Sequence, residues 1–121
     1  MPDSVQIREV GARDGLQSEA PIAIEQRVEL IESLLAAGVT RIEMVAFVSP
    51  KAVPSMAGAA EVVAAIGARP GVVRAALVPN LRGAQMAIDS GVDEITIKRN
   101  DPAVGEVFVH FPRAGFAVTP A

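Results

Sequence analysis

The sequence predicts an α/β fold built on parallel strands, and three observations carry that expectation. Short branched-aliphatic runs alternate with longer segments whose apolar residues recur at helical spacing, which is the order of βα units. One device, a helix followed by a glycine stop, Val, a polar residue and a strand, occurs twice, as "AAGVTRIEM" and "DSGVDEITI". The composition suits layers of small and branched side chains: 50% of the 121 residues are hydrophobic, only 3% are aromatic, and Trp and Tyr are absent. That length matches one ordinary domain with a buried core.

Taken in order, "SVQIREV" (4–10) reads as the first strand. "IAIEQRVELIESLLAAG" (22–38) places Ile24, Val28, Ile31, Leu34 and Leu35 on one helical face, and Gly38 stands where a helix-terminating glycine belongs. "VTRIEMVAFV" (39–48) is the second strand, "SPKAVPSM" a loop with two prolines, and "AGAAEVVAAIGA" (57–68) an Ala-rich helix. "GVVRAALVP" (71–79) is the third strand, "NLRGAQMAIDSG" (80–91) a short helix closed by Gly91, and "VDEITI" (92–97) the fourth strand. From Lys98 the helix, glycine, strand rhythm is lost, and three of the four Phe and three prolines fall in this stretch; a small hairpin of "EVFVHF" and "GFAVT" is the one regular element it suggests.

The charge pattern excludes several classes of function. Net charge is −3, with 11 basic and 14 acidic side chains scattered along the chain, so there is no basic stripe for nucleic acid. Cysteine is absent, which removes disulfides, thiolate metal sites and a cysteine nucleophile, and the one His, His110, forms no His pair. No apolar run approaches the ~18 residues of a membrane span, and the first residues lack a secretory or transit pattern, so the expected location is cytoplasmic with no membrane contact.

In parallel α/β folds the chemistry gathers at the C-terminal ends of the strands. That rule selects Arg13, Asp14 and Gln17 after the first strand, Phe47 to Lys51 after the second, and Pro79 and Asn80 after the third. Asp14 is a hard oxygen ligand suited to Mg²⁺ or Mn²⁺, and Arg13 offers a fork of donors to a developing enolate or a carboxylate. The same "RDG" equally suits an Arg/Asp turn pair that caps the next helix. Glu43 lies inside "RIEMVAF", where a buried carboxylate needs a partner. A salt bridge to Arg8 or Arg41 would supply one, and an acid aimed at a site is the other reading. Glu9 poses the same question. Asn80 suits a substrate oxygen, or more simply a helix N-cap. Lys51 reads as a solvated lysine and His110 as a bystander.

Together "REVGARDGLQSE", "IEMVAFVSPKAVPSM" and "LVPNLRGAQMAIDSGVDEITI" closely resemble the N-terminal part of the 3-hydroxy-3-methylglutaryl-CoA lyase family, over about residues 5–97. "RDGxQ" is shared with the isopropylmalate and citramalate synthases of the wider TIM-barrel group, whereas "FVSPKxVPxM" and "PNLxG" point to the lyase branch. The resemblance implies a divalent metal, Mg²⁺ or Mn²⁺, an acyl-CoA substrate, and cleavage to acetoacetate and acetyl-CoA in leucine degradation. It makes Asp14 the metal ligand and Arg13 the catalytic arginine, with Glu43 also catalytic, and Gln17, Glu9 and Asn80 lining the substrate. The family completes its site with a His-x-His pair, an Asn and a Cys on a glycine-rich lid, none of which this sequence contains in such motifs.

A TIM barrel needs about 250 residues and eight strands. The fold expected here is therefore a half barrel of about four parallel βα units over residues 1–97, followed by a non-homologous tail at 98–121, most simply the result of a frameshift or a fragmentary gene product. Open sheet edges would then favour self-association. A non-catalytic half-barrel assembly module, and a fragment of an isopropylmalate or citramalate synthase-like enzyme, are the alternatives.

Overall fold

In the computed structural model, which describes residues 7–98 and 106–110, a four-stranded sheet carries three helices. Strands β1 (Arg41–Ala46), β2 (Val73–Val78) and β3 (Glu94–Lys98) run parallel, and β4 (Glu106–His110) runs antiparallel beside β3, in the order β1-β2-β3-β4. Helix α1 (Ile24–Ala36) precedes β1, α2 (Ala59–Ile66) joins β1 to β2, and α3 (Leu81–Ser90) joins β2 to β3. The predicted α/β class and every predicted helix are present, each helix trimmed by one or two residues at each end.

One expectation needs revision and one is met in part. The strand expected over 4–10 is reduced, among the described residues, to one parallel bridge between Glu9 and Ile42, closed by the Glu9 amide on Arg41 O (3.0 Å) and the Glu43 amide on Glu9 O (2.9 Å). Of the suggested hairpin, "EVFVH" is a strand that pairs with β3 in the register Thr96 to Phe108; "GFAVT" lies outside the described residues.

Local chemistry sets the helix ends. After α1 the Gly38 amide bonds Leu35 O and the Val39 amide bonds Leu34 O, a Schellman closure that requires the left-handed backbone of Gly38 at φ +102°. Leu34 and Val39 both pack on the core beside this closure. At the start of α1, Gln26 Oε1 accepts from the Ala23 amide at 3.0 Å, and at the start of α3, Asn80 Oδ1 accepts from the Gly83 amide at 2.8 Å.

The sheet has two unlike faces because side chains alternate along each strand. One face is apolar: Ile42, Met44, Ala76, Val78 and Ile95 pack under Ile31 of α1, Val62, Val63 and Ile66 of α2, and Ala87 of α3. Arg74 and Asp93, buried at the starts of β2 and β3, join this layer as an ion pair (Nε to Oδ2, 3.0 Å), with Arg74 Nη2 on Gly91 O at 2.6 Å, so the end of α3 is tied to both strands. The other face is charged. Glu43 of β1, Ala75 of β2 and Glu94 of β3 stand in one register row, and both carboxylates are buried.

Candidate active site

The segment after the Glu9 bridge forms a single π-helical turn, Gly11–Gly15, in which the Val10 carbonyl accepts from the Arg13, Asp14 and Gly15 amides at 3.1, 2.7 and 3.2 Å. The Glu9 carboxylate braces it by accepting from the Gly11 amide at 2.8 Å. A wide turn of this kind is common at functional sites. Here it sends two consecutive charged side chains in different directions. Arg13 turns inward and is 7% exposed, whereas the Asp14 side chain is 67% exposed.

Arg13 is held on two sides. Its Nε donates to Glu43 Oε1 at 2.5 Å, and its Nη1 donates to Gln17 Oε1 at 3.2 Å and to Asp14 Oδ1 at 3.4 Å. Its Nη2 makes no hydrogen bond among the described residues, so the guanidinium keeps one donor edge for another group. Glu43, only 1% exposed, also meets Arg8 Nη1 at 3.6 Å through Oε2. Arg8 and Arg41 in turn both pair with Glu94. The charges therefore alternate along the inner face, Arg13, Glu43, Arg8, Glu94, Arg41, from the C-terminal to the N-terminal end of the strands. Of the two partners the sequence proposed for Glu43, Arg8 is in contact, while Arg41 serves Glu94.

The loop after β1 closes over this turn. It folds through a short 3₁₀ turn, Pro54–Met56, and Ser55 Oγ donates to Gln17 O at 2.7 Å. Between the two segments lies a groove of about 580 Å³ whose walls include Asp14, Gln17, Glu19, Val53 and Ser55. A neighbouring hollow of about 330 Å³ runs from Phe47 and Pro50 to Pro79, Asn80 and Met86. The structure thus brings Arg13, Asp14, Gln17 and Glu43 together, with Glu9 as the brace of the turn. Asn80 lies at the next hollow with its side-chain oxygen engaged in capping α3. Lys51 is exposed.

Sequence reasoning missed Glu94 and Ser55. Glu94 was recoverable, since "VDEITI" buries an acid in a strand in the same way as "RIEMVAF". Ser55 carried no signal, because a serine in a Pro-rich loop is ordinary and only the fold brings it to Gln17.

Among the described residues no group of three His, Cys, Asp or Glu side chains is placed to hold a metal ion, and no helix is long and apolar enough to cross a membrane.

No family model matches the chain. Among curated proteins, a 3-hydroxy-3-isohexenylglutaryl-CoA/hydroxymethylglutaryl-CoA lyase from Pseudomonas aeruginosa is 52% identical over 98 residues, which are 80% of this chain and 33% of that protein. The crystal structure of the hydroxymethylglutaryl-CoA lyase from the same organism superposes with a TM-score of 0.75 at 52% identity, over 79% of this chain and 32% of that one. A structure of an HMG-CoA lyase from Acinetobacter baumannii, in complex with coenzyme A and 3-methylmalate, superposes with a TM-score of 0.71 at 35% identity, over 74% of this chain and 30% of that one. The three parallel strands and their helices match part of the lyase TIM barrel. Four-fifths of the chain is therefore homologous to hydroxymethylglutaryl-CoA lyases, and it spans about a third of the length of the relatives that it matches.

Proposed function

We infer that this segment supplies the arginine wall of a site for carbon–carbon cleavage of 3-hydroxy-3-methylglutaryl-CoA in the cytoplasm. The observation that carries the reading is Arg13: a buried guanidinium, oriented by Glu43 and Gln17, with Nη2 uncommitted among the described residues. When a base removes the substrate hydroxyl proton and the bond to the acetyl-CoA carbon breaks, negative charge gathers on the thioester oxygen. A pre-oriented guanidinium stabilises that oxygen without having to reorganise. Gln17 and Glu9 shape the turn that holds Arg13, and Asn80 bounds the next hollow, where it would meet substrate.

The residues described do not make a metal centre. A hard divalent cation takes about six oxygen ligands, and Asp14 is the one exposed carboxylate beside Arg13. Asp14 is best read as a single ligand for Mg²⁺ or Mn²⁺ whose other ligands come from elsewhere in a complete barrel. Residues 1–97 are read as the lyase segment and 98–121 as a non-homologous tail.

The test is a chimaera of the Pseudomonas aeruginosa lyase in which the matching third is replaced by residues 5–97. It is expected to release acetoacetate from 3-hydroxy-3-methylglutaryl-CoA, and Arg13→Lys within it is expected to lower kcat by about 10²–10³-fold. A folded chimaera with no turnover refutes the reading.

A second reading, a non-catalytic module that pairs with copies of itself, is favoured by the exposed Leu81, Met86 and Ile88 on α3 and Val109 on the edge strand β4. Sedimentation velocity decides it, and a monomer at tens of micromolar rules it out.

A further inference from the structure

Arg27 belongs to no part of the mechanism above, yet on α1 it is among the most buried of the described side chains, 2% exposed. Its Nη1 donates to the carbonyl of Ala57 at 2.5 Å, while Nε and Nη2 are buried without a hydrogen bond among the described residues. A guanidinium that makes one bond and leaves two buried nitrogens unmet is costly. Burial accordingly pushes Arg27 below the ordinary arginine range. A group kept at such a cost has a place to hold.

That place is the far end of the loop after β1. Ala57 caps the 3₁₀ turn Pro54–Met56, its own amide bonding Pro54 O at 3.1 Å. The next residue, Gly58, lies so close to α1 that a Cβ there would stand 2.7 Å from Ile24 Cδ1. The loop is thus fastened to α1 at its end. From the fastened turn, Ser55 reaches Gln17 O, and Gln17 Oε1 receives Arg13 Nη1.

We propose that Arg27 is a positioning residue for Arg13: by clamping Ala57 to α1 it fixes the 3₁₀ turn, and Ser55 passes that fixed position through Gln17 to the Arg13 guanidinium. The functional meaning rests on the lyase reading of Arg13, but the mechanical link does not. One carbonyl needs one donor, so lysine suffices at this position and methionine does not.

The experiment is amide hydrogen exchange on the full 121-residue chain, with the Arg13 Nε–H resonance read by NMR. The reporters are the amides of Ala52, Val53, Met56 and Ala57, all bonded within the loop; the controls are Ala75, Ala76 and Leu77 in β2. In Arg27→Met the reporters should exchange about tenfold faster or more, with the controls unchanged and the Arg13 resonance shifted. Arg27→Lys should return them to within about threefold of the parent chain. Reporters that stay protected in Arg27→Met, or that accelerate in step with the controls, overturn the proposal, as does a lysine variant that fails to restore them.

Should Arg27→Met not fold, Ser55→Ala carries the test, since it cuts the path beyond the clamp. The reporters should then stay protected while the Arg13 resonance moves, and an unmoved resonance overturns the proposal. Neither readout involves turnover, so an inactive chimaera refutes the lyase reading and leaves this link standing.

Discussion

Replacing Glu43 by alanine should be among the most destabilising single changes in this chain. The carboxylate is buried at 1% exposure and faces Arg13 Nε at 2.5 Å and Arg8 Nη1 at 3.6 Å. Removing one partner of a buried ion pair costs about 3–5 kcal/mol, because it leaves a buried charge uncompensated. Here the loss is eased on both cations: Arg13 keeps Gln17 and Asp14, and Arg8 keeps Glu94. The expected cost is therefore at the low end, about 3 kcal/mol. Against a total stability of about 5–15 kcal/mol this is a large share. At about 4–8 °C per kcal/mol for a domain of this size class, Tm should fall by about 12–24 °C.

Glu43→Gln keeps an acceptor for Arg13 Nε and loses only the charge, so it should cost about 1–2 kcal/mol. The double change Glu43→Leu with Arg13→Met removes both charges of the closer pair and should be less damaging than Glu43→Ala alone. Urea unfolding followed by far-UV circular dichroism gives all three values from the midpoint, provided the slope is unchanged. A Glu43→Ala chain within about 1 kcal/mol of the parent would show that the inner-face ion pairs are solvated rather than buried, and the argument for a pre-oriented Arg13 would fail with it.

Three further outcomes are expected. Gly83→Ala, a change that ordinarily strengthens a helix, should instead cost about 1–3 kcal/mol, because its Cβ would stand 2.8 Å from Phe47 O and 3.1 Å from Pro79 Cδ; a raised Tm would contradict the packing of α3 on the loop after β1. Gly38→Ala meets no atom within 4 Å, so its cost, about 1–2 kcal/mol, is wholly that of forcing a left-handed backbone on alanine at φ +102°; Gly38→Asn should recover part of it in the same thermal melt. Asn80→Ala should cost about 0.5–2 kcal/mol by removing the cap on Gly83, and Asn80→Asp should retain most of the stability; equal melting of all three chains would show that the cap is made by solvent instead.

The helices were legible because their ends are chemical events within a few residues. Gly38, Gly91 and Asn80 each close or open a helix with bonds to atoms at most five positions away, so their meaning travels with the local sequence. The RDG turn was legible as a candidate site but not as a shape: nothing in "GARDG" announces three amides on one carbonyl. Strand pairing was the least legible, since a strand is completed by a partner far along the chain. Residues 4–10 were expected as a full strand, and one bridge at Glu9 is what the described residues form. "EVFVH" takes β3 as a partner, which no local signal named.

Composition and pattern by themselves determined the α/β class, the order of helices and strands, the buried acid in β1 and the candidate residues Arg13, Asp14 and Gln17. Each depends on a period, a glycine or a residue type that acts within one turn or one strand. Only the tertiary structure decided that Glu43 takes Arg13 and leaves Arg41 to Glu94, and that Ser55 and Arg27 hold the loop above them. Those contacts join residues 30 to 53 positions apart. Their energy is that of buried charges and carbonyls choosing the nearest opposite group, a choice that exists only once the sheet has brought them within reach.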